Sequence, residues 1–188
     1  MNEINLSEII AGCIRRSAEH QKKLYQYFFS SMMKICLRYC HCTDDAAACY
    51  NESMRKVFSK IEQCRDEKLL LAWVKKIVIN TCLTELKKRS RFEERQVSID
   101  NDFDNKLDFP VHSNTISATE ILQYVQALPP THLLVFNLYA IEGYTHEEIG
   151  KMLKIATGTS KWYLSDARNK LKKSLTEFYK HESAPIIG

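Results

Sequence analysis

The chain has 188 residues, 45% hydrophobic and 27% charged, with a formal net charge of +4; this is a folding chain rather than a disordered one, the size of one large domain or two small ones. Five glycines and four prolines are too few for the tight turns of a β-sandwich, so the composition predicts an all-α fold. The longest apolar run, Leu69 to Val74, falls far short of the ~20 residues that cross a bilayer. The first residues are polar and acidic, with no basic-then-apolar leader, which predicts a cytoplasmic protein with no direct membrane insertion.

Charge divides the chain into three. Residues 1–91 hold 17 Lys and Arg against 10 Asp and Glu, residues 92–117 hold 2 against 6, and residues 118–188 hold 8 against 7. This pattern predicts a basic domain over 1–91, an acidic flexible linker over 92–117, a second domain over 118–180 and a tail over 181–188. The linker contains DNDFDNKLDFPVHSN and keeps no helical period, so it reads as a tether, either functional or merely solubilising.

In the first domain, a helix from His20 to His41 is predicted by the apolar stripe Leu24, Tyr27, Phe28, Met32, Ile35 and Tyr39. Thr43 is placed to cap the next helix, with Asp44 and Asp45 where the helix dipole favours negative charge. That helix turns Ala47, Tyr50, Met54, Val57, Phe58 and Ile61 inward and leaves Asn51, Glu52, Arg55 and Lys56 outward. A third helix, from about Leu69 to Ser90, has a broad apolar face of Leu70, Trp73, Val74, Ile77 and Val78. Against it runs a polar row at four-residue spacing: Lys76, Asn80, Thr84 and Lys88, extended by Lys87, Arg89 and Arg91. Such a row is either a solvated face or a nucleic-acid surface, with cations for phosphates and an amide for a base edge.

In the second domain, Leu128-Pro129-Pro130 opens a helix carrying Leu133, Leu134, Phe136, Leu138 and Tyr139, which stops at Glu142-Gly143. Thr145 and Glu148 have the spacing of a capping box, and the short helix that follows buries Ile149, Met152 and Leu153. A turn from Lys154 to Thr157 leads into a helix with Leu164, Ala167, Leu171 and Leu175 as its core stripe. Two helices joined by so short a turn form a helix-turn-helix, whose second member fits the DNA major groove. Thr159, Lys161, Trp162, Tyr163, Ser165 and Asp166 are left outward near its start, with Arg168, Lys170, Lys172 and Lys173 available for phosphates. Packing alone is the plain alternative.

Seven cysteines form no paired framework. Cys36 and Cys40 share a helix face but Cys42 lies half a turn away, so the Cys36, Cys40, His41, Cys42 cluster reads as small core side chains and no metal is expected. His146-Glu147 begins like a zinc-protease motif, but Gly150 stands where the second histidine belongs. No phosphate-cradling glycine loop is present. Neither an enzyme nor a cofactor is expected.

These residues resemble a known family. The segments KLYQYFFSSMMKICLRY, DDAAACYNESMRKVF and AWVKKIVINTCLTELKKRSR are similar to region 2 of the extracytoplasmic-function sigma factors of the sigma-70 family. The segment LQYVQALPPTHLLVFNLYAIEGYTHEEIGKMLKIATGTSKWYLSDARNKLKK is similar to region 4. The resemblance implies two small helical domains that bind core RNA polymerase and direct it to promoters. Asn51, Glu52, Arg55 and Lys56 would dock on the polymerase clamp. Lys76, Asn80, Thr84, Lys87, Lys88 and Arg91, with the loop from Gln63 to Lys68, would hold the melted −10 strand. Thr159, Lys161, Trp162, Tyr163, Ser165, Asp166 and Arg168 would read the −35 element, with the region 4 core on the polymerase flap. The acidic linker would pass through the RNA exit path, and an anti-sigma factor is an expected partner.

Departures from the family pattern stand at Ala47 and Ala48, where acids are usual, and at Asp66 and Glu67, where a Gly/Ser stretch is usual. Asp166 replaces a basic residue, and Lys154 occupies a turn where glycine is frequent. Because of them, a helix-turn-helix regulator acting without polymerase and a sigma-like protein that binds a partner without initiating transcription stay open as alternatives.

Overall fold

The computed structural model describes residues 5–40, 42–64, 66–96 and 118–182, the side chains of 89–96, 118–119 and 180–182 excepted. The described residues form helices and turns with no strand, and the chain divides into two compact units, residues 1–98 and 99–188. In the first unit α1 (Leu6–Ile14), α2 (Ala18–Tyr39), α3 (Thr43–Lys60) and α4 (Leu70–Gln96) follow one another. α1 packs on α2, while α2, α3 and α4 pack pairwise on each other.

The core of this unit follows the helical period. α2 buries Leu24, Phe28, Met32, Ile35, Cys36 and Tyr39; α3 buries Ala46, Cys49, Tyr50, Ser53, Met54 and Val57; α4 contributes Leu70, Val74, Val78, Ile79, Cys82 and Leu83. Each fully buried large side chain contributes about 1.5–3 kcal/mol of transfer free energy. Tyr50 also donates its hydroxyl to the Tyr25 carbonyl at 2.5 Å, so its polar end is satisfied inside the core. The α1–α2 crossing depends on Gly12, where an added Cβ would meet the His20 ring at 2.1 Å.

Tyr27 is exposed rather than in the stripe, and Ala47 and Phe58 are only half-buried, because the α3 contact line runs through Ala46, Cys49 and Ser53 instead. Thr43 is the first residue of α3 and not its cap; Cys42 occupies the cap position without a side-chain bond. α4 continues to Gln96, into the stretch expected to be a linker. The rest of that linker, residues 97–117, lies outside the described residues, as does His41.

The second unit holds α5 (Ala118–Gln126), α6 (Pro130–Phe136), α7 (His146–Leu153) and α8 (Thr157–Glu182), and a π-helical turn, Asn137–Ile141, extends α6. α5, α6 and α7 each pack on α8, around Val125, Leu128, Leu133 and Ala167 with Phe136 and Leu171 against them. The capping box forms in full: Thr145 Oγ1 accepts from the Glu148 amide, and the Glu148 carboxylate accepts from the Thr145 amide. The α7–α8 turn is tight. A Cβ on Gly150 would lie 2.8 Å from the Ile155 carbonyl oxygen, so the turn passes where only glycine leaves room. Lys154 closes α7 at φ 60°, the left-handed conformation that glycine adopts without cost.

Candidate nucleic-acid interface

α4 carries the first candidate surface. Because α4 buries Val74, Val78, Ile79, Cys82 and Leu83, the residues at four-residue spacing on its other side are forced outward. Lys76, Asn80, Thr84 and Lys88 are all exposed, and Lys87 is half-buried. The Thr84 hydroxyl donates to the Asn80 carbonyl at 2.8 Å, which keeps its oxygen as an acceptor toward solvent. Lys88 pairs with Glu85 at 2.7 Å on the surface, a pairing of small net value that a phosphate can displace. The structure thus brings the row together on one face; the side chains of Arg89 and Arg91 lie outside the described residues.

Ahead of this helix, Asp66 accepts from the Lys68 amide at 2.9 Å and caps a 3₁₀ turn, Glu67–Leu69. The Glu67 carboxylate accepts from the Ser7 hydroxyl, linking this loop to α1. The acids that depart from the family pattern therefore have local partners: they fold the loop into a turn.

On α3, Asn51 and Arg55 are exposed, and Glu52 and Lys56 are half-buried. Glu52 receives Arg55 through two bonds, at 2.7 and 2.8 Å, and lies 3.6 Å from Lys56. The Arg55 hydrogen bonds and the nearby Arg55 and Lys56 charges hold the Glu52 carboxyl down at about 2. Lys56 reaches across to donate to Thr81 of α4 at 3.2 Å, and Asn51 accepts from the Tyr25 hydroxyl at 2.8 Å. This face is organised by its own helix and anchored to both neighbours. Ala48, one of the family departures, lies with Asp45 on the lining of a cavity of about 450 Å³ that opens beside it.

α8 carries the second surface. Thr159, Lys161, Trp162, Ser165 and Arg168 are exposed, Trp162 by 59%. Tyr163 and Asp166, expected outward, are half-buried. Both turn to His132 of α6: Asp166 Oδ2 lies 2.8 Å from His132 Nε2 and 3.5 Å from Lys170 Nζ, and the Tyr163 ring meets the imidazole edge-on at 4.9 Å. Asp166 thus ties α8 to α6, and the carboxylate that sequence placed against DNA is drawn into the domain.

A further group was not legible in the sequence. The Tyr139 ring stacks on His146 at 4.4 Å, Arg168 lies over Tyr139 at 5.8 Å, and His146 Nδ1 sits 3.0 Å from Ser160 Oγ. Partial burial, with the Lys161 and Arg168 charges, keeps the His146 pKa below the ordinary histidine value. A neutral imidazole is the form that stacks beside a guanidinium. Tyr139 lies in the π-helical turn Asn137–Ile141, seven residues before His146, and no periodicity in the sequence marks the pair.

Residues 24–92 match the family model for sigma-70 region 2, and residues 118–171 match that for sigma-70 region 4. The two models occur in family order and together span well over half of the chain. The chain belongs to the sigma-70 family of transcription initiation factors, and its pairing of these two regions is that of the extracytoplasmic-function sigma factors. A search of curated proteins finds no match.

Among solved structures, the chain is similar to the sigma factor RpoE of Bartonella quintana in complex with the anti-sigma factor NepR, at 19% identity and a TM-score of 0.54, covering 82% of this chain and 98% of that one. It is also similar to CnrH in complex with the cytosolic domain of CnrY, at 14% identity and a TM-score of 0.47, covering 90% and 96%. BldN in its complex with RsbN matches at 13% identity and a TM-score of 0.37, covering 87% and 97%. No helix among the described residues is long and apolar enough to cross a membrane.

Proposed function

We propose that this protein recruits core RNA polymerase to a bipartite promoter in the cytoplasm, opens the −10 element along α4 and reads the −35 element with α8. It works by binding, without covalent chemistry. The observation that carries the reading is the single exposed face on α4 bearing Lys76, Asn80, Thr84 and Lys88, inside the span matched to sigma-70 region 2. Ammonium groups at the ends of that face hold the backbone of a separated strand, and Asn80 offers both a donor and an acceptor to an unpaired base. Capturing such a base offsets the few kcal/mol that unstacking costs, so binding energy is converted into strand opening.

Asn51, Glu52, Arg55 and Lys56 present a pre-ordered charged face that suits the polymerase clamp. On α8, the exposed Thr159, Lys161, Trp162, Ser165 and Arg168 supply the groove contacts. An anti-sigma factor is the expected regulator, by analogy with the complex of RpoE with NepR. The test is transcription from genomic fragments by core polymerase with and without the purified chain. A discrete start site that depends on the chain is the expected result. Core binding without any start site would favour a sigma-like partner-binding protein, and DNA binding without core binding would favour a helix-turn-helix regulator.

A further inference from the structure

Outside both surfaces, the first unit holds a concentration of sulfur. Cys36, Cys40, Cys49 and Cys82 are buried, drawn from three helices. The Cys40 thiol donates to the Cys49 sulfur across 3.7 Å, and Cys82 is within hydrogen-bond reach of Cys36, Cys40 and Cys49. The group is not sealed: the cavity of about 450 Å³ between α3 and α4 is lined by Cys40, Cys49 and Cys82 together with Glu52 and Glu85. The cavity opens to solvent, and at its lining Cys40 and Cys49 keep 6% and 5% of their surface exposed while Cys82 keeps none.

We propose that Cys40 and Cys49 are a redox modification site, closing to a disulfide when a hydroperoxide enters this cavity. Their sulfurs must approach from 3.7 Å to about 2.05 Å. Cys40 is placed to move, because it stands at the C-cap of α2 in extended backbone (φ −111°, ψ 144°) and not within the helix. Cys36 and Cys82 are fully buried and serve as hydrogen-bonding neighbours. In the first step one thiol, after losing its proton to water, attacks a peroxide oxygen; the O–O bond breaks and a sulfenic acid forms, with the proton returning to the departing oxygen. The second thiol then attacks that sulfur and expels water. Two thiols lose two protons and two electrons, and hydrogen peroxide takes up both to become two waters.

The same packing sets the rate. Hydrogen bonding to Cys49 and burial raise the Cys40 pKa well above an ordinary thiol, and hydrogen bonds to its three thiol neighbours with burial raise that of Cys82 as well. Because the thiolate is the reactive species, oxidation is slow at neutral pH and rises about tenfold per pH unit until the raised pKa is reached. The site therefore responds to sustained peroxide and not to brief exposure. This inference does not rest on the promoter reading, although the cavity lining shares Glu52 and Lys88 with the α3 and α4 faces.

The test uses the full chain carrying Cys42→Ser, which removes the exposed thiol between the pair. Trypsin then releases Tyr39–Arg55 with Cys40 and Cys49 as its only cysteines. After peroxide treatment, denaturing alkylation and mass spectrometry, the peptide is expected lighter by two hydrogens and unalkylated. Its rate of formation should climb about tenfold per unit from pH 7 to pH 9. A peptide that still takes two alkyl groups, at a peroxide dose that oxidises Cys42 in the unsubstituted chain, would overturn the proposal. So would a rate that levels off near the pKa of an ordinary thiol, which would place the reaction in unfolded chains.

Discussion

The candidate nucleic-acid faces of the two helical units are of opposite construction. On α4 the exposed Lys76, Asn80, Thr84 and Lys88 lie on the face away from the core, and the Thr84 back-bond and the Lys88–Glu85 surface pair both stay within their own helix. On α8 the corresponding surface is built into the fold, with Asp166 and Tyr163 against His132 and Arg168 over Tyr139. The lesson is that strand capture can be altered on α4 without disturbing the domain, whereas a changed reading residue on α8 also changes its scaffold.

The largest break in that comparison comes from Gly150→Val. The new side chain drives into the Ile155 carbonyl, at 2.8 Å already from the first carbon, and overpacking of this kind costs about 1–3 kcal/mol or more. Amide exchange in α6–α8 should accelerate while protection in α2–α4 is unchanged. Next comes Asn80→Ala, alone and with Lys76→Ala, expected to slow promoter opening about tenfold for each lost base or phosphate contact. The melting temperature should stay within a degree or two of the parent, and closed-complex binding should fall less than opening; equal losses in the two assays would assign the row to duplex binding instead.

Asp166→Asn sharpens the contrast from the other side. Weakening the bond to His132 should cost about 1 kcal/mol of second-unit stability, with −35 binding falling in step with the folded fraction rather than base by base. The smallest effect concerns Glu52. Its pKa is lowered from 4.5 to about 2, so the stabilisation it brings is fully present above about pH 4.5 and is lost as pH falls toward 2. An acid titration of Glu52→Gln should lack that component, and because the group is near the surface the difference should be slight.

What the sequence revealed, and what it hid, follows the range of the interactions. The α4 face was legible because Leu70, Val74 and Val78 repeat at helical spacing and leave Lys76, Asn80, Thr84 and Lys88 on the complementary side, although Trp73 and Ile77, read into the same apolar face, are only half-buried. Thr145 and Glu148 were legible because a capping box spans only four consecutive residues. Asp166 was not: its partner His132 lies 34 residues earlier, and a residue at the edge of a core stripe turns in or out according to what faces it. The sulfur group was hidden for the same reason, since Cys82 is far along the chain from Cys40 and only the packing of α2, α3 and α4 brings them together. Tyr27 failed differently: it sits beside Phe28 at the rim of a stripe whose centre was correctly placed.

The left-handed Lys154 has a consequence for electrolyte response. A non-glycine residue at φ 60° costs about 1 kcal/mol or more of conformational energy, yet it installs an exposed ammonium at the corner where the two arms of the DNA-reading motif meet. Each phosphate so neutralised releases condensed counterions, steepening the fall of affinity with salt by about 0.9 in logarithmic slope. Replacement by glycine would give a more relaxed corner and a protein whose grip on DNA is less sensitive to ionic strength.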